Sequence, residues 1–237
     1  MSSPARETLI LDDPAAAAAE RIAGAVSKGG HVALAGGTTP RAAYERLPTM
    51  DVEWVCATLW FGDERCVPPD DPRSNFGMAR SALLDRLTGA RPEVRRIEGE
   101  RGPGEAASAY ERQLHTAFGG QPPVLDLVLL GIGPDGHCAS LFPRQPALEE
   151  RARLVVGVAR PGLPPWVPRV TVTLPLINAA REVLFLATGA EKAQAVARLI
   201  AEPAGREFPA SLVAPASGAL TVLLDHAAAA GPAEAVS

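Results

Sequence analysis

The stretch DLVLLGIGPDGHCASLFP, residues 126–143, joins a short apolar run to a turn rich in glycine. The run Leu127–Leu130 contains no polar residue, which is typical of a strand buried on both faces of a parallel sheet. Three glycines at positions 131, 133 and 136 follow and free the backbone. Since ligands of open α/β sheets bind beyond the carboxyl ends of strands, this stretch indicates both a fold class and a place for a site.

The same pattern continues on both sides of this stretch, where apolar β-branched runs alternate with alanine-rich helical segments. This alternation implies crossover connections and a mainly parallel α/β sheet flanked by helices. We expect one domain over residues 1–237, with the proline-rich segment 160–169 as a long loop. We predict strands at 8–11, 31–35, 57–61, 95–98, 125–130, 154–158, 169–173, 183–187 and 220–224, and helices at 14–27, 40–47, 75–87, 104–118, 175–180 and 191–202.

The composition excludes several classes of protein. Apolar residues make up 47% and charged residues 21% of the 237 residues, as in ordinary globular proteins. The net charge is −4 without a basic cluster, which argues against a nucleic-acid partner. We also expect no membrane partner and a cytoplasmic location, because long apolar stretches and a signal-peptide pattern are absent. Cys56, Cys66 and Cys138 form no CxxC pair, which favours free thiols.

A glycine–threonine loop follows the predicted strand at 31–35. The glycines Gly36 and Gly37 let a ligand approach the backbone, and Thr38 and Thr39 lead into a helix. Thr39 suits the N-cap and Pro40 the first helical position. Free N–H groups at a helix start suit a phosphate, although an ordinary strand-to-helix turn is the alternative. No GlyLysSer or GlyLysThr follows, so the loop is not a Walker A motif.

A charged loop follows the predicted strand at 57–61. We predict that Arg65 binds an anion, and that Asp63 and Glu64 hold Arg65 or contact sugar hydroxyls. A solvated turn with an internal ion pair is the alternative. Further along, Ser74 and Asn75 have the pattern of a helix cap, and Asn75 is also a candidate to face the site.

The glycine turn after residue 130 formally matches GxGxxG, but Asp135 would lie against a dinucleotide's pyrophosphate, and Pro143 leaves only a short helix. We therefore interpret the turn as projecting Asp135 and His137 from the end of a strand, with Gly136 beside the substrate. A neutral imidazole at this edge is suited to act as a general base. Asp135 either orients that imidazole or contacts a sugar hydroxyl.

Two further cations are candidates for an anion site. Arg169 begins a predicted strand, and Lys192 falls in the first turn of a predicted helix. A cation there opposes the helix dipole, so either Glu191 compensates for it or a bound anion requires it; we favour the anion. The sequence contains no GxSxG elbow and no HExxH or comparable metal-ligand spacing, so we expect hydrolysis without a metal.

Several of these motifs together resemble the 6-phosphogluconolactonase family. They are AGGTTPRAAY at 35–44, WFGDER at 60–65, RSN at 73–75, GIGPDGHCASLFP at 131–143, RVTVTLPLINA at 169–179 and TGAEKA at 188–193. The GxGxDGH element is shared with the related glucosamine-6-phosphate deaminases. Those enzymes place a glutamate where this chain has Phe142 and a tyrosine where it has Arg65.

The resemblance implies hydrolysis of 6-phospho-D-glucono-1,5-lactone without a cofactor. It also implies a modified Rossmann-like sheet of the deaminase and ribose-phosphate-isomerase type. The expected partner is a small sugar phosphate lactone, and we expect a monomer or a weak homodimer. An amino-sugar phosphate deaminase is the enzymatic alternative. A non-catalytic sugar-phosphate sensor is the other, but it is expected to carry a fused DNA-binding domain.

Overall fold

The computed structural model describes residues 6–201 and 203–231, which are built around a seven-stranded sheet whose neighbouring strands are all parallel. The order of its strands is β1-β10-β9-β6-β2-β3-β5. A smaller antiparallel sheet has the order β4-β8-β7. The strands are β1 (Arg6–Ile10), β2 (His31–Leu34), β3 (Thr58–Phe61), β4 (Asp63–Arg65), β5 (Glu93–Val94), β6 (Leu127–Leu130), β7 (Val155–Val158), β8 (Arg169–Val172), β9 (Glu182–Ala187) and β10 (Ala219–Leu224).

Helices connect the strands and cover the large sheet. Helix α1 starts where the Asp13 side chain accepts a hydrogen bond from the amide of Ala16 at 3.0 Å, and Pro14 takes the first position. None of the helices in the described ranges is long and apolar enough to cross a membrane. The helices are α1 (Pro14–Val26), α2 (Thr38–Tyr44), α3 (Asn75–Ala82), α4 (Pro103–Ala117), α5 (Leu174–Ala179), α6 (Ala193–Ala201) and α7 (His226–Ala229).

The predicted α/β class is confirmed, but two predicted strands lie outside the large sheet. The segments predicted at 154–158 and 169–173 form β7 and β8 of the small antiparallel sheet. The third strand of that sheet is β4, Asp63–Arg65, which the sequence predicts as a loop. The chain turns at Gly62, whose carbonyl accepts the Val172 amide at 2.9 Å. This turn takes β4 away from β3 and onto β8.

The strand predicted at 95–98 is wrong, because the pairing of β5 with β3 covers only Glu93–Val94. The amide of Phe61 in β3, which lies next along the ladder, donates instead to the Tyr110 hydroxyl at 2.7 Å. That hydroxyl in turn donates to the Phe61 carbonyl at 3.2 Å. With both backbone groups of Phe61 satisfied by a buried side chain, β5 has nothing left to pair with and ends.

The helix predicted at 75–87 is also too long, because α3 ends at Ala82. Leu83 leaves the helical conformation, with φ −126° and ψ −65°, and its side chain is fully buried. A short 3-10 turn follows, and the Arg91 guanidinium donates to the carbonyls of Leu84 and Leu87 at 2.9 and 3.3 Å. The helix predicted at 191–202 begins as a 3-10 turn and continues as α6; position 202 lies outside the described residues.

His31, at the opposite end of β2 from the site described below, gives the fold a predicted dependence on pH. Its Nδ1 accepts a hydrogen bond from the Trp60 indole at 3.0 Å, so this contact requires a neutral imidazole. Burial lowers the pKa of His31 in spite of the nearby charges of Asp126 and Glu93. The folded state then binds fewer protons than the unfolded state just below the ordinary histidine pKa, about 6.5.

We therefore expect the free energy of unfolding to fall as pH decreases below about 6.5, and this term to level off at higher pH. Urea unfolding of the wild type and His31→Gln at a series of pH values from 5 to 8 measures it. The variant is expected to show a flatter profile in this window. Parallel profiles for the two proteins would contradict the assignment to His31.

Candidate active site

A cleft of about 290 Å³ opens at the carboxyl ends of β2, β6 and β9, beside the small sheet. It brings together nine of the residues predicted from the sequence, although they are far apart in the chain. Its walls carry three cations as well as the imidazole that the glycine turn supplies. The nine residues are Gly36, Gly37, Thr38, Thr39, Asp63, Arg65, His137, Arg169 and Lys192.

The imidazole of His137 is held by Asp135 at one ring nitrogen and packs against the backbone of Gly133. Its Nδ1 lies 2.6 Å from the Asp135 carboxylate, which also accepts the His137 amide at 3.1 Å. Gly133 lies so close beneath the ring that a Cβ there would overlap Nδ1. Because Asp135 occupies Nδ1, Nε2 is the ring nitrogen left for a ligand in the cleft.

Burial disfavours the Asp135 carboxylate, but its hydrogen bond to the His137 ring and its attraction to that ring outweigh burial, so the pKa of Asp135 lies below its ordinary value. Asp135 is therefore a carboxylate at neutral pH and is able to accept a hydrogen bond from Nδ1–H of His137. It is not among the residues that line the cleft. Between the two alternatives left by the sequence, this geometry favours orientation of the imidazole over a sugar contact.

Gly136 also lies outside the lining of the cleft. Its φ is +80°, a conformation that favours glycine, and a Cβ there would overlap the ring of Phe208. The Gly136 carbonyl accepts the Ala210 amide at 2.8 Å. Gly136 thus shapes the turn that carries His137, and its predicted contact with substrate stays a prediction.

Two guanidinium groups face each other across the antiparallel pair β4–β8, where Arg65 is the direct partner of Arg169. Burial lowers the pKa of Arg169, and the like charge of Arg65 on the opposed position lowers it further. The Nε atoms of both arginines are buried and have no hydrogen-bond partner among the described residues. Asp63 offsets part of the repulsion, but two adjacent cations that line the same cleft favour a bound anion.

Glu64 lies outside the lining of the cleft and serves the start of α3. Its carboxylate accepts the backbone amides of Asn75 and Phe76 at 2.7 and 2.8 Å and the Ser74 hydroxyl at 3.0 Å. Burial raises the pKa of Glu64 against these hydrogen bonds. Both carboxylate oxygens of Glu64 are thus engaged by the start of α3, and the predicted contact of Glu64 with a sugar stays a prediction.

Asn75 is buried and also lies behind the cleft. Its amide donates to the Asp63 carboxylate at 2.9 Å, and the Ser140 hydroxyl donates to the other oxygen of that carboxylate at 2.5 Å. The amide oxygen of Asn75 packs against Gly36 so closely that a Cβ at Gly36 would overlap it. Asn75 thus binds Asp63 and packs against the glycine loop, and its predicted contact with a ligand stays a prediction.

The helix after the loop at Gly36, α2, begins two residues earlier than predicted. The N-cap is Gly37, whose φ of +107° disfavours residues with a Cβ, and Thr38 is the first helical residue. The predicted N-cap, Thr39, instead forms a hydrogen bond of 3.0 Å with the Thr188 hydroxyl on the loop after β9. Lys192 also lines the cleft, and its Nζ donates to the Ile132 carbonyl on the glycine turn at 3.0 Å.

Some residues of the site carry no signal in the sequence that identifies them beforehand. Ser140 is fully buried, and its amide donates to the Thr171 hydroxyl at 3.1 Å, which ties the glycine turn to β8. Glu191 lines the cleft beside Lys192. The alternation RVTVT places Arg169 and Thr171 on one face of a strand, and this is the one pattern that would have pointed to Thr171.

Together, the parallel sheet, the His–Asp pair and the opposed arginines define an α/β protein whose cleft is suited to a small anionic ligand beside a candidate general base. The family model described as "Glucosamine-6-phosphate isomerases/6-phosphogluconolactonase" matches residues 6–222. The chain belongs to this family, as the motifs indicated.

Comparisons with individual proteins agree with this membership. The chain is 42% identical to 6-phosphogluconolactonase from Homo sapiens, over 90% of this chain and 82% of that protein. It is 41% identical to the 6-phosphogluconolactonase of Nostoc sp., over 84% of this chain and 83% of that one. A solved 6-phosphogluconolactonase from Trypanosoma cruzi superposes with a TM-score of 0.83 at 31% identity, covering 97% of each chain. A monomeric glucosamine-6-phosphate deaminase has a TM-score of 0.80 at 23% identity, which shows the shared fold alone.

Proposed function

We propose that this chain hydrolyses 6-phospho-D-glucono-1,5-lactone to 6-phospho-D-gluconate. Its relatives at about 40% identity carry the name of this activity, and Phe142 and Arg65 match the lactonase pattern rather than the deaminase pattern. The observation that carries the proposal is one cleft lined both by an imidazole whose Nδ1 is held by Asp135 and by two opposed arginines. A lactone ester at one end of a sugar and a phosphate at the other match these two features.

In this proposal, His137 acts as the general base. Its Nε2 takes a proton from a water molecule as the water oxygen attacks C1 of the lactone. The C1–O5 bond then breaks, and the same nitrogen returns the proton to the departing ring oxygen. Asp135 holds Nδ1–H and stabilises the transient imidazolium, for which its ionised state is suited. Such general-base assistance contributes about 10²–10⁴-fold.

The phosphate is bound at the other side of the cleft. Arg65 and Arg169 supply guanidinium donors, Lys192 supplies an ammonium group, and the loop Gly36–Thr39 supplies backbone amides. A net charge of −4 repels a sugar phosphate, so this local positive charge is needed for binding. Gripping the phosphate fixes C1 against His137, which lowers the entropic part of the barrier.

The reaction needs no metal in this proposal, because the lactone carbonyl is already electrophilic and the base is supplied by the chain. We also propose a monomer or a weak homodimer, and a single domain, which the pairing of the first strand β1 with the last strand β10 supports. The free thiols Cys56, Cys66 and Cys138 suit a reducing cytoplasm.

A hydrolysis assay tests the proposal directly. The lactone is generated in situ by oxidation of glucose 6-phosphate, and its disappearance is followed through the proton released when the carboxylic acid ionises. We expect the protein to accelerate this step well above the spontaneous rate. Release of ammonia from glucosamine 6-phosphate, without acceleration of lactone hydrolysis, would overturn the proposal in favour of a deaminase.

A further inference from the structure

Phe142 lies between the two functional parts of the cleft without lining it. Its ring centroid is 4.7 Å from that of His137, with the two planes tilted by 34°. On the same ring, the Cζ atom of Arg169 lies 5.3 Å from the centroid. Phe142 is fully buried and is not among the residues that line the cleft. The phenyl ring therefore contacts both the candidate base and a phosphate-binding arginine while having no access to substrate.

The backbone around Phe142 is held in unfavourable conformations. Ala139 and Arg144 are the non-glycine residues with positive φ in the described ranges, at 49° and 58°, and they bracket Phe142. The Leu141 amide donates to the Cys138 carbonyl at 3.0 Å, which closes a tight turn that begins directly after His137. Strain of this kind persists where the surrounding structure requires one particular placement of a side chain.

The rings of His137 and Phe142 form a stack, and the proline-rich loop packs against the Phe142 ring of this stack. Gly162 lies so close to the Phe142 ring that a Cβ there would be 2.9 Å from Cδ1. The Arg169 guanidinium donates to the Leu163 and Pro165 carbonyls at 3.0 and 3.3 Å. The loop that packs against the phenyl ring therefore also holds the guanidinium that lies over that ring.

We propose that Phe142 is a positioning residue for the lactonase reaction. Its ring holds the imidazole plane of His137, so that Asp135 keeps Nδ1 and Nε2 stays on the attacking water. The same ring sets the separation between the imidazole and the Arg169 guanidinium, which fixes the distance between the base and the phosphate grip. This proposal rests on the proposed function.

The stack itself is tested on the wild-type protein, independently of activity. Nuclear Overhauser effects between the ring protons of His137 and those of Phe142 are expected in solution at this separation. Their absence would overturn the proposal, whatever the protein catalyses. Their presence together with an inactive protein would instead place the failure in the proposed function.

The role of the stack is tested with Phe142→Leu and the matched control Phe185→Leu. Phe185 is a fully buried phenylalanine in β9 that is not among the residues lining the cleft. For Phe142→Leu we expect kcat on the lactone to fall roughly 10- to 100-fold, because small misplacements of a reacting group are costly. KM is expected to stay within roughly threefold, since backbone carbonyls still hold Arg169.

The control separates positioning from general loss of packing. Phe185→Leu is expected to lower the melting temperature as Phe142→Leu does, but to keep kcat near the wild-type value. Equal kcat for the two variants would overturn the proposal. Where Phe142→Leu does not fold, Phe142→Tyr, which keeps the ring, takes its place. We expect this variant to keep both kcat and the Overhauser effects between the ring at position 142 and His137. Loss of these Overhauser effects with an unchanged kcat would reject a positioning role.

Discussion

Replacing His137 with alanine is expected to lower kcat for lactone hydrolysis by about 10²–10⁴-fold, with KM changed little. The variant removes the one ring nitrogen that the cleft leaves free, while the opposed arginines that would bind the phosphate remain. The loss is expected in kcat because proton transfer occurs in the transition state and adds nothing to ground-state binding. Initial rates over a range of lactone concentrations, corrected for spontaneous hydrolysis, measure the two constants separately.

His226→Ala is the control, because this histidine is exposed in α7 and its ring contacts Asp12, away from the cleft. It is expected to keep both constants. A wild-type kcat in His137→Ala would remove the imidazole from the mechanism and leave the phosphate site as a binding feature alone. A large rise in KM with unchanged kcat would make His137 a binding residue.

The sequence predicts best those parts of the fold in which local pattern and tertiary environment agree. Leu127–Leu130 is apolar throughout because it lies inside a parallel sheet, and the glycine turn that follows it carries His137 to the cleft. The sequence also predicts that cations far apart in the chain share one cleft, since the strand ends of a parallel sheet converge at one edge.

The sequence predicts least well those parts in which a distant contact decides. The polar segment Asp63–Arg65 has no strand pattern, and it becomes β4 because β8 lies opposite it. The Glu64 carboxylate serves amides that lie 11 and 12 residues further along the chain. Nothing local to Glu64 distinguishes such a capping contact from a sugar contact, so the two interpretations separate only when the side chain is placed.

The opposed pair of arginines leads to the prediction with the second-largest effect, which concerns Arg169→Ala. We expect KM for the lactone to rise roughly 10- to 150-fold, corresponding to about 1.5–3 kcal/mol for a charge-assisted hydrogen bond. The variant relieves the repulsion between the two opposed guanidinium groups. It also removes one of the two guanidinium groups that would bind the phosphate. Arg101→Ala is the control for charge, because Arg101 is partly exposed and pairs with Glu98 and Glu105.

A phosphate-free substrate shows whether Arg169 acts through the phosphate. Glucono-1,5-lactone carries the same ester without the anion, so wild type and Arg169→Ala are expected to hydrolyse it with similar kcat/KM. The advantage of the phosphorylated over the free lactone is then expected to shrink in the variant by the same factor by which KM rises. Equal losses on both substrates would mean that Arg169 acts through the loop carbonyls of Leu163 and Pro165 and through Phe142, as part of the scaffold of His137, and not as a phosphate ligand. Arg169→Lys refines this distinction, since it keeps the charge but loses the planar fork that donates to both the loop and the anion.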